Sequence, residues 1–509
     1  MAVSASADRV EDPIKTDIPA RLDRLPWSRW HWMVVIGLGV TWILDGLEVT
    51  IVGIVAPLLE DPNSGLGAGA GSIGFANSMY LAGACAGALI LGYATDKLGR
   101  KRLFMFSLVW YLVWTLATAF SWDIWSFTFF RFMTGIGIGG EYAAINSAID
   151  ELIPARRRGW TDLVINGTWW VGTAGAAAAG LILLDPQDIR PELGWRVAFG
   201  MGAVLAIAVL FVRRHIPESP RYLMTHGRFD EADRVVREIE EKVEREKGPL
   251  PPPDENAVVE IDPRRKIGIG GILKAILFTY PSRSFVGLML MGSQAFFYNA
   301  IFFTYALVLT TFMGVSKESV PYYIFPFAVG NILGPLLLGH FFDSIGRKPM
   351  IAFTYMASAA GLLITGLLFQ ANALSATQMT VCWSVTFFFA SAGASAAYLT
   401  VSEIFPIESR ALAIAVFFAI GTLAGGFAAP WLFGTLIGTG DRDNVFYGYA
   451  FGAALMALAA MAELIWGVEA ARRSLEDIAR PLTAVRERIS SGAVRVPRPA
   501  VRKEAPGTG

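Results

Sequence analysis

GYATDKLGRKR, residues Gly92–Arg102, decides how the chain is read, because it returns as GHFFDSIGRKP at Gly339–Pro349. Asp343, Gly346, Arg347 and Lys348 stand for Asp96, Gly99, Arg100 and Lys101. A second pair keeps step with the first: Glu151, Pro154 and Arg158 form E-x-x-P-x-x-x-R, repeated by Glu403, Pro406 and Arg410. The offsets are 247 residues for the first pair and 252 for the second. One duplication accounts for both, so the chain divides into two similar halves. Repeats of this length in an apolar chain suggest a membrane carrier whose halves rock against one another.

Of the 509 residues 54% are hydrophobic and 17% charged, with a mean hydropathy of +0.47. A soluble domain carries about 25% charged residues, so most of this surface is expected to meet lipid. Twelve spans are read, at 32–58, 72–94, 102–121, 124–147, 160–184, 195–213, 284–312, 321–342, 349–370, 377–402, 411–437 and 445–467. Most are near or above the ~20 residues that cross a bilayer. Pro57, Pro335 and Pro430 lie in or near these runs, where neighbouring helices or a water-lined cavity can satisfy the freed backbone groups. The fold expected is all-α, with twelve transmembrane helices in two six-helix halves.

The expected plan is a disordered polar tail at 1–26, halves at 27–213 and 283–467, a linker at 214–282 and a second tail at 468–509. The first 26 residues have no apolar core of a cleavable leader. Trp27, Arg29, Trp30 and Trp32 supply interfacial anchors. Lys97, Arg100, Lys101 and Arg102, then Arg156, Arg157 and Arg158, then Arg347 and Lys348 follow even-numbered spans. By the positive-inside tendency, both tails and the linker are expected in the cytoplasm. Within the linker, Arg228–Lys247 reads as a charged helix ended by Gly248–Pro253. The alanine- and glycine-rich composition, without glycosylation acceptors in outer loops, points to a bacterial inner membrane.

The formal net charge is zero, which gives no hint of a nucleic-acid partner. Cys85 and Cys382 sit in apolar runs and read as packed hydrophobes. His31, His215, His226 and His340 have no ligand spacing, so no metal is expected. Nor is an enzyme: no nucleophile–His–acid set and no cofactor motif survives inspection. GIGIGG at 135–140 lies inside an apolar span with no strand before it, so it reads as close helix packing rather than a nucleotide loop.

Asp45 and Glu48 are the sharpest signal, because an ionised carboxylate in hydrocarbon costs at least ~2.5 kcal/mol. At i and i+3 they share a helix face, so both are expected to look into a cavity. Adjacent carboxylates hinder each other's ionisation, which suits reversible proton carriage. Arg131 is the expected partner: it lies roughly 10 Å below the outer end of the fourth span, while Glu48 is roughly 24 Å up the first. Glu141, nearer the inner end, is a second candidate proton site, a solute ligand or a structural hydrogen-bond partner. Asn166, Gln294, Asn299 and Tyr398 supply neutral donors and acceptors for a bound solute.

With twelve spans, a central linker and two D-x-x-G-R-[RK] loops, the chain resembles the major facilitator superfamily. Arg131 with Gly135, Gly137 and Gly139, the stretch Glu151–Gly159, PESPRYL at Pro217–Leu223, SEIFPIESR at Ser402–Arg410 and GVEAARRSLEDI at Gly467–Ile478 resemble its sugar porter and general substrate transporter branch. SQAFFYNAIFF at Ser293–Phe303 is similar to the sugar porters' seventh helix, with Ser293 for a Gln and Phe297 for a Gly. Asn166 falls where their fifth helix has a Gln. Tyr398 stands for a tenth-helix Trp. LDGLE at Leu44–Glu48 is more similar to the D-G-F-D of aromatic acid:proton symporters, and GGEY at Gly139–Tyr142 resembles the fourth helix of phosphate and organic-ion transporters.

The resemblance implies inner-gate salt bridges. These would gather Asp96, Arg100, Glu151 and Arg158 at one half's mouth and Asp343, Arg347, Glu403 and Arg410 at the other's, with Glu218, Arg221 and Glu469 beside them. The function expected is secondary transport by alternating access. The solute would be small, polar and organic, an organic acid ahead of a sugar or polyol, driven by proton symport. Antiport export would use the same residues. A non-transporting nutrient sensor is the rival of another class. The expected partners are the solute, protons and the bilayer, and nothing demands more than a monomer.

Overall fold

The computed structural model describes residues 14–482, except 61, 69, 184–188, 214–215, 254–257, 262–267, 303 and 317–318. The first part of the expected N-terminal tail, most of the C-terminal tail and His215 lie outside the described residues. The first half's six spans are Arg29–Glu60, Ala70–Leu98, Arg100–Ala119, Ile124–Leu152, a fifth in two pieces (Arg158–Gly167 and Trp169–Leu183), and Pro191–Arg213. The second half repeats them: a seventh in two pieces (Pro281–Phe302 and Tyr305–Met313), Val320–Ser344, Arg347–Gln370, Ala376–Ile404, an eleventh in three (Arg410–Gly421, a π-helical Thr422–Phe427 and Ala428–Gly438), and Arg442–Trp466. Ten are long and apolar enough to cross a membrane. The fourth and fifth are the exceptions. Glycines, Arg131 and Glu141 dilute the fourth, and the fifth breaks at Thr168, whose hydroxyl donates to the Gly39 carbonyl at 2.9 Å.

The duplication is visible in helix starts. Asp123 and Ser126 form a capping box on the fourth span, and Ser375 and Gln378 form the same box on the tenth, 252 residues later. Gly99 and Gly346 precede the third and ninth spans with φ of 102° and 128°, a region open to glycine. A Cβ there would also meet a carboxylate oxygen, of Glu218 at 2.3 Å and of Glu469 at 2.7 Å.

Glycines set the packing as well. A Cβ on Gly139 would lie 1.9 Å from the Ala84 carbonyl oxygen, and one on Gly83 2.1 Å from that of Phe132, so the second and fourth spans touch backbone to backbone. Gly330 and Gly334 do the same for the eighth and tenth. Gly46 and Gly172 join the first and fifth; Gly421 and Gly425 join the eleventh to the seventh. Gly139→Leu is therefore expected to destabilise the first half by at least the ~1–3 kcal/mol typical of overpacking. Thermal unfolding of the purified variant in detergent checks it. The halves meet reciprocally, the second span along the eleventh and the fifth along the eighth.

The tail departs from expectation. From Ile14 it is structured rather than disordered: Ile14–Thr16 (β1) pairs antiparallel with Val259–Ile261 (β2) of the linker, and a helix at Ile18–Asp23 buries Ile18 and Leu22. Arg21 reaches Asp233 and Glu240, both at 2.6 Å, on the linker helix Phe229–Lys247. Burial opposes ionisation of Glu240, yet Arg21 and Arg24 hold its carboxyl below the ordinary value; the hydrogen bond from Arg21 does the same for Asp233. Depressed carboxyls stabilise docking above their ordinary values, and the contribution fades as pH falls through the depressed ones. Proteolysis within the Ile18–Asp23 helix is expected to quicken as pH falls below about 4, measured with an acid-tolerant protease against an undocked peptide control.

Candidate functional site

A cavity of about 210 Å³ lies between the halves. Trp42, Tyr80, Tyr142, Asn166, Trp169 and Trp170 face it from the first half; Gln294, Tyr298, Asn299, Phe302, Tyr398 and Phe418 are among those from the second. No charged residue lines it among the described residues. Its walls are aromatic because both halves bring rings to the same level. Tyr142 stacks on Phe418 at 4.7 Å between centroids and 23°, and Trp170 packs edge-on to Phe302 at 5.6 Å. Asn166, Gln294, Asn299 and Tyr398 all reach the lining. The amide nitrogens of the asparagines are engaged, Asn299 with the Ala295 carbonyl at 2.6 Å and Asn166 with the Asp162 carbonyl at 2.9 Å. The Asn166 carbonyl oxygen is buried with no hydrogen-bond partner among the described residues.

Asp45 and Glu48 do not line this cavity, which corrects the expectation that both look into it. Each stands one side chain behind its wall. Asp45 Oδ2 accepts from the Tyr142 hydroxyl at 2.5 Å and from Trp169 Nε1 at 3.0 Å, while its buried Oδ1 has no hydrogen-bond partner among the described residues. Glu48 is closed off in a buried ion pair with Arg131 and accepts from the Tyr111 hydroxyl at 3.3 Å. The Arg131 guanidinium lies 4.2 Å from the ring centre of Tyr80, a cavity wall. The residues are one helical turn apart, but different neighbours claim them.

Glu141 pairs with Arg213 at 3.2 Å, away from the cavity. Arg213 also holds Thr41 and the Phe104 carbonyl. The sequence reading missed Arg213, which ends the sixth span and looks like an ordinary positive-inside residue.

On the linker side the halves are sewn together. Glu151 binds Arg100 of its own half at 2.8 Å and Arg410 of the other at 3.3 Å. Glu403 mirrors it with Arg347 at 2.9 Å and Arg158 at 3.5 Å. Asp96 and Asp343 pair with Arg100 and Arg347 and cap helices across the interface. Asp96 accepts from the Leu412 N–H at 3.0 Å, and Asp343 from those of Gly159 and Trp160 at 3.1 and 2.8 Å. Glu218 accepts from the Arg100 and Lys101 N–H groups, and burial raises its carboxyl above the ordinary value. Glu469 does the same for Arg347 and Lys348. Arg221 joins Asp23 of the tail at 3.0 Å to Glu476 at 3.1 Å. Asp23, Asp150, Asp162 and Glu476 were not anticipated.

Comparison with known proteins agrees with this architecture. The profile of the family described as "Sugar (and other) transporter" matches residues 61–482. The niacin transporter NiaP of Acinetobacter baylyi is 27% identical over 466 residues, covering 91% of this chain and 99% of NiaP. The 4-hydroxybenzoate transporter PcaK of the same organism is 26% identical, covering 85% and 91%. Among solved structures, the proton:xylose symporter XylE bound to 6-bromo-6-deoxy-D-glucose superposes with a TM-score of 0.72 at 20% identity, covering 88% of this chain and 98% of XylE.

Proposed function

The chain belongs to the sugar (and other) transporter family, and from that premise we propose that it is a proton symporter for a small aromatic carboxylic acid. The observation that carries this is the position of Asp45: its carboxylate is gripped by Tyr142 and Trp169, and both side chains also wall the cavity. While Asp45 is ionised, it holds those donors. A proton on Asp45 weakens that grip and frees the hydroxyl and indole N–H for a solute carboxylate. Proton and solute then bind together because ionised Asp45 and the solute carboxylate compete for the same donors, and the proton takes Asp45 out of that competition. The aromatic walls suit a flat ring, and the uncharged lining suits an anion that arrives with its proton. The names of NiaP and PcaK, both carriers of ring-bearing acids, support the choice.

Alternating access supplies the stroke. The ion pairs close the linker side, placed in the cytoplasm of a bacterial inner membrane with both termini, and parting the halves would open the cavity to that side. One chain furnishes the whole lining, so a monomer suffices. The second reading is a sugar or polyol porter, favoured by Asn166, Gln294 and Asn299 in the lining. Uptake of labelled solutes into liposomes bearing the purified protein separates them. Benzoate- and pyridine-type carboxylates are expected to enter and to compete with one another. Entry of a hexose or polyol with the carboxylates inert would transfer the assignment to the second reading.

A further inference from the structure

Buried carboxylates and arginines meet where the halves close on the linker side: Asp96, Asp150, Glu151, Asp162, Asp343 and Glu403 against Arg100, Arg158, Arg347 and Arg410, with the Arg221–Glu476 pair beside them. Four of the acids are accounted for by the guanidiniums and backbone N–H groups described above. Asp150 and Asp162 are not. Both are 0% exposed, and neither oxygen of Asp150 nor Oδ1 of Asp162 accepts a hydrogen bond among the described residues. The Ser402 hydroxyl lies within reach of the Asp150 carboxyl, but its hydrogen bond goes to the Leu399 carbonyl at 2.8 Å. Asp162 Oδ2 takes the Asn166 amide at 3.2 Å.

The charged groups facing Asp150 include Glu403, Arg158 and Arg410 and Asp162, and Arg221 donates to its backbone carbonyl at 3.4 Å; those facing Asp162 include Asp150, Glu403 and Arg347. These arginines also serve Glu403, Glu151, Asp343 and Asp23, although Nε and Nη2 of Arg158 make no hydrogen bond among the described residues. The duplication singles out the same two residues. At the offset of 252 that carries Glu151 to Glu403, Asp150 and Asp162 correspond to Ser402 and Ile414. The gate is repeated without them, so closing the halves does not need them.

We propose that Asp150 and Asp162 form a proton-binding site in the gate, occupied while the halves are closed on the linker side and emptied when they part. A buried carboxylate short of hydrogen-bond donors and beside other carboxylates is unfavourable, whereas water between parted faces solvates it. On opening, each carboxyl O–H gives its proton to water on the linker side and leaves a carboxylate; reclosing takes both protons back from that side. The site carries no net proton across the membrane and is separate from Asp45. It makes the closed gate the acid-favoured state. By linkage the open-to-closed ratio changes about tenfold per pH unit for each proton, about a hundredfold where both titrate. Through Asn166, which lines the cavity, the site also touches the solute compartment.

The inference rests on the halves parting during transport, but its test needs no solute. Spin labels at Leu98→Cys and Ile345→Cys, both exposed and one on each half, in a chain with Cys85→Ser and Cys382→Ser, report the gate width in detergent. The parent is expected to close as pH falls, with a slope approaching two protons. Asp150→Asn with Asp162→Asn is expected to abolish the slope, each single variant to halve it, and Asp45→Asn to keep it. Should the double variant fail to fold, the single variants carry the test. A gate indifferent to pH, single or double variants titrating like the parent, or a slope removed by Asp45→Asn would each overturn the proposal.

Discussion

Asp45→Asn is expected to abolish accumulation of solute against its gradient while solute still exchanges between the two sides. With one proton per solute, a gradient of one pH unit with acid outside drives about tenfold accumulation; the variant should accumulate no more than protein-free liposomes do. The substituted side chain would offer Tyr142 and Trp169 an amide that never ionises, so the cavity donors would no longer be held and released by a proton. The asparagine is nearly isosteric and removes no packing, so folding should survive. Accumulation and counterflow of the same labelled solute, measured in parallel, check both halves of the prediction. Tyr142→Phe should do less: it removes one of the two donors and leaves Trp169 on the carboxylate.

The second large effect is expected at the gate. Glu403 holds Arg347 and Arg158, one from each half, and is 0% exposed. Glu403→Gln leaves two buried guanidiniums short of a carboxylate, and breaking a buried pair in this way costs ~3–5 kcal/mol. That cost falls on the closed state, because opening hydrates the arginines. An equilibrium moved from 1:99 to 99:1 needs about 5.5 kcal/mol, so a gate normally closed should come to stand mostly open. The labels at positions 98 and 345 should then report the wider distance at every pH, and transport should slow because the carrier no longer returns. Glu151→Gln should act alike, since Glu151 plays the mirrored part with Arg100 and Arg410.

The fold was legible because charges are scarce in this chain and the same ones recur. Asp96 and Asp343 announced themselves as copies, and the copies marked both the halves and the gate. Four polar residues of the cavity lining were legible, since an amide such as Asn166 or Gln294 within an apolar span must find polar company; its walls of Trp42, Tyr142, Trp169 and Trp170 were not, because aromatics are common on any lipid-facing or packed helix. Its depth was not. Spacing places Asp45 and Glu48 on one helix face but says nothing of Tyr142, Trp169 or Tyr111, which decide what each carboxylate meets. The tail was misread because β1 pairs with residues some 245 positions away, a contact no local pattern reveals. Asp150 and Asp162 left a signal that went unread: aligned on the E-x-x-P repeat, they are acids whose counterparts are Ser402 and Ile414.

The central claim is that a proton enters with each solute through Asp45. The most direct measurement is luminal pH in dye-loaded liposomes bearing the purified protein, on addition of an aromatic carboxylate. The account predicts acidification beyond the leak of protein-free liposomes, absent with Asp45→Asn. Labelled solute crossing through the protein with the lumen unchanged beyond that leak would contradict it.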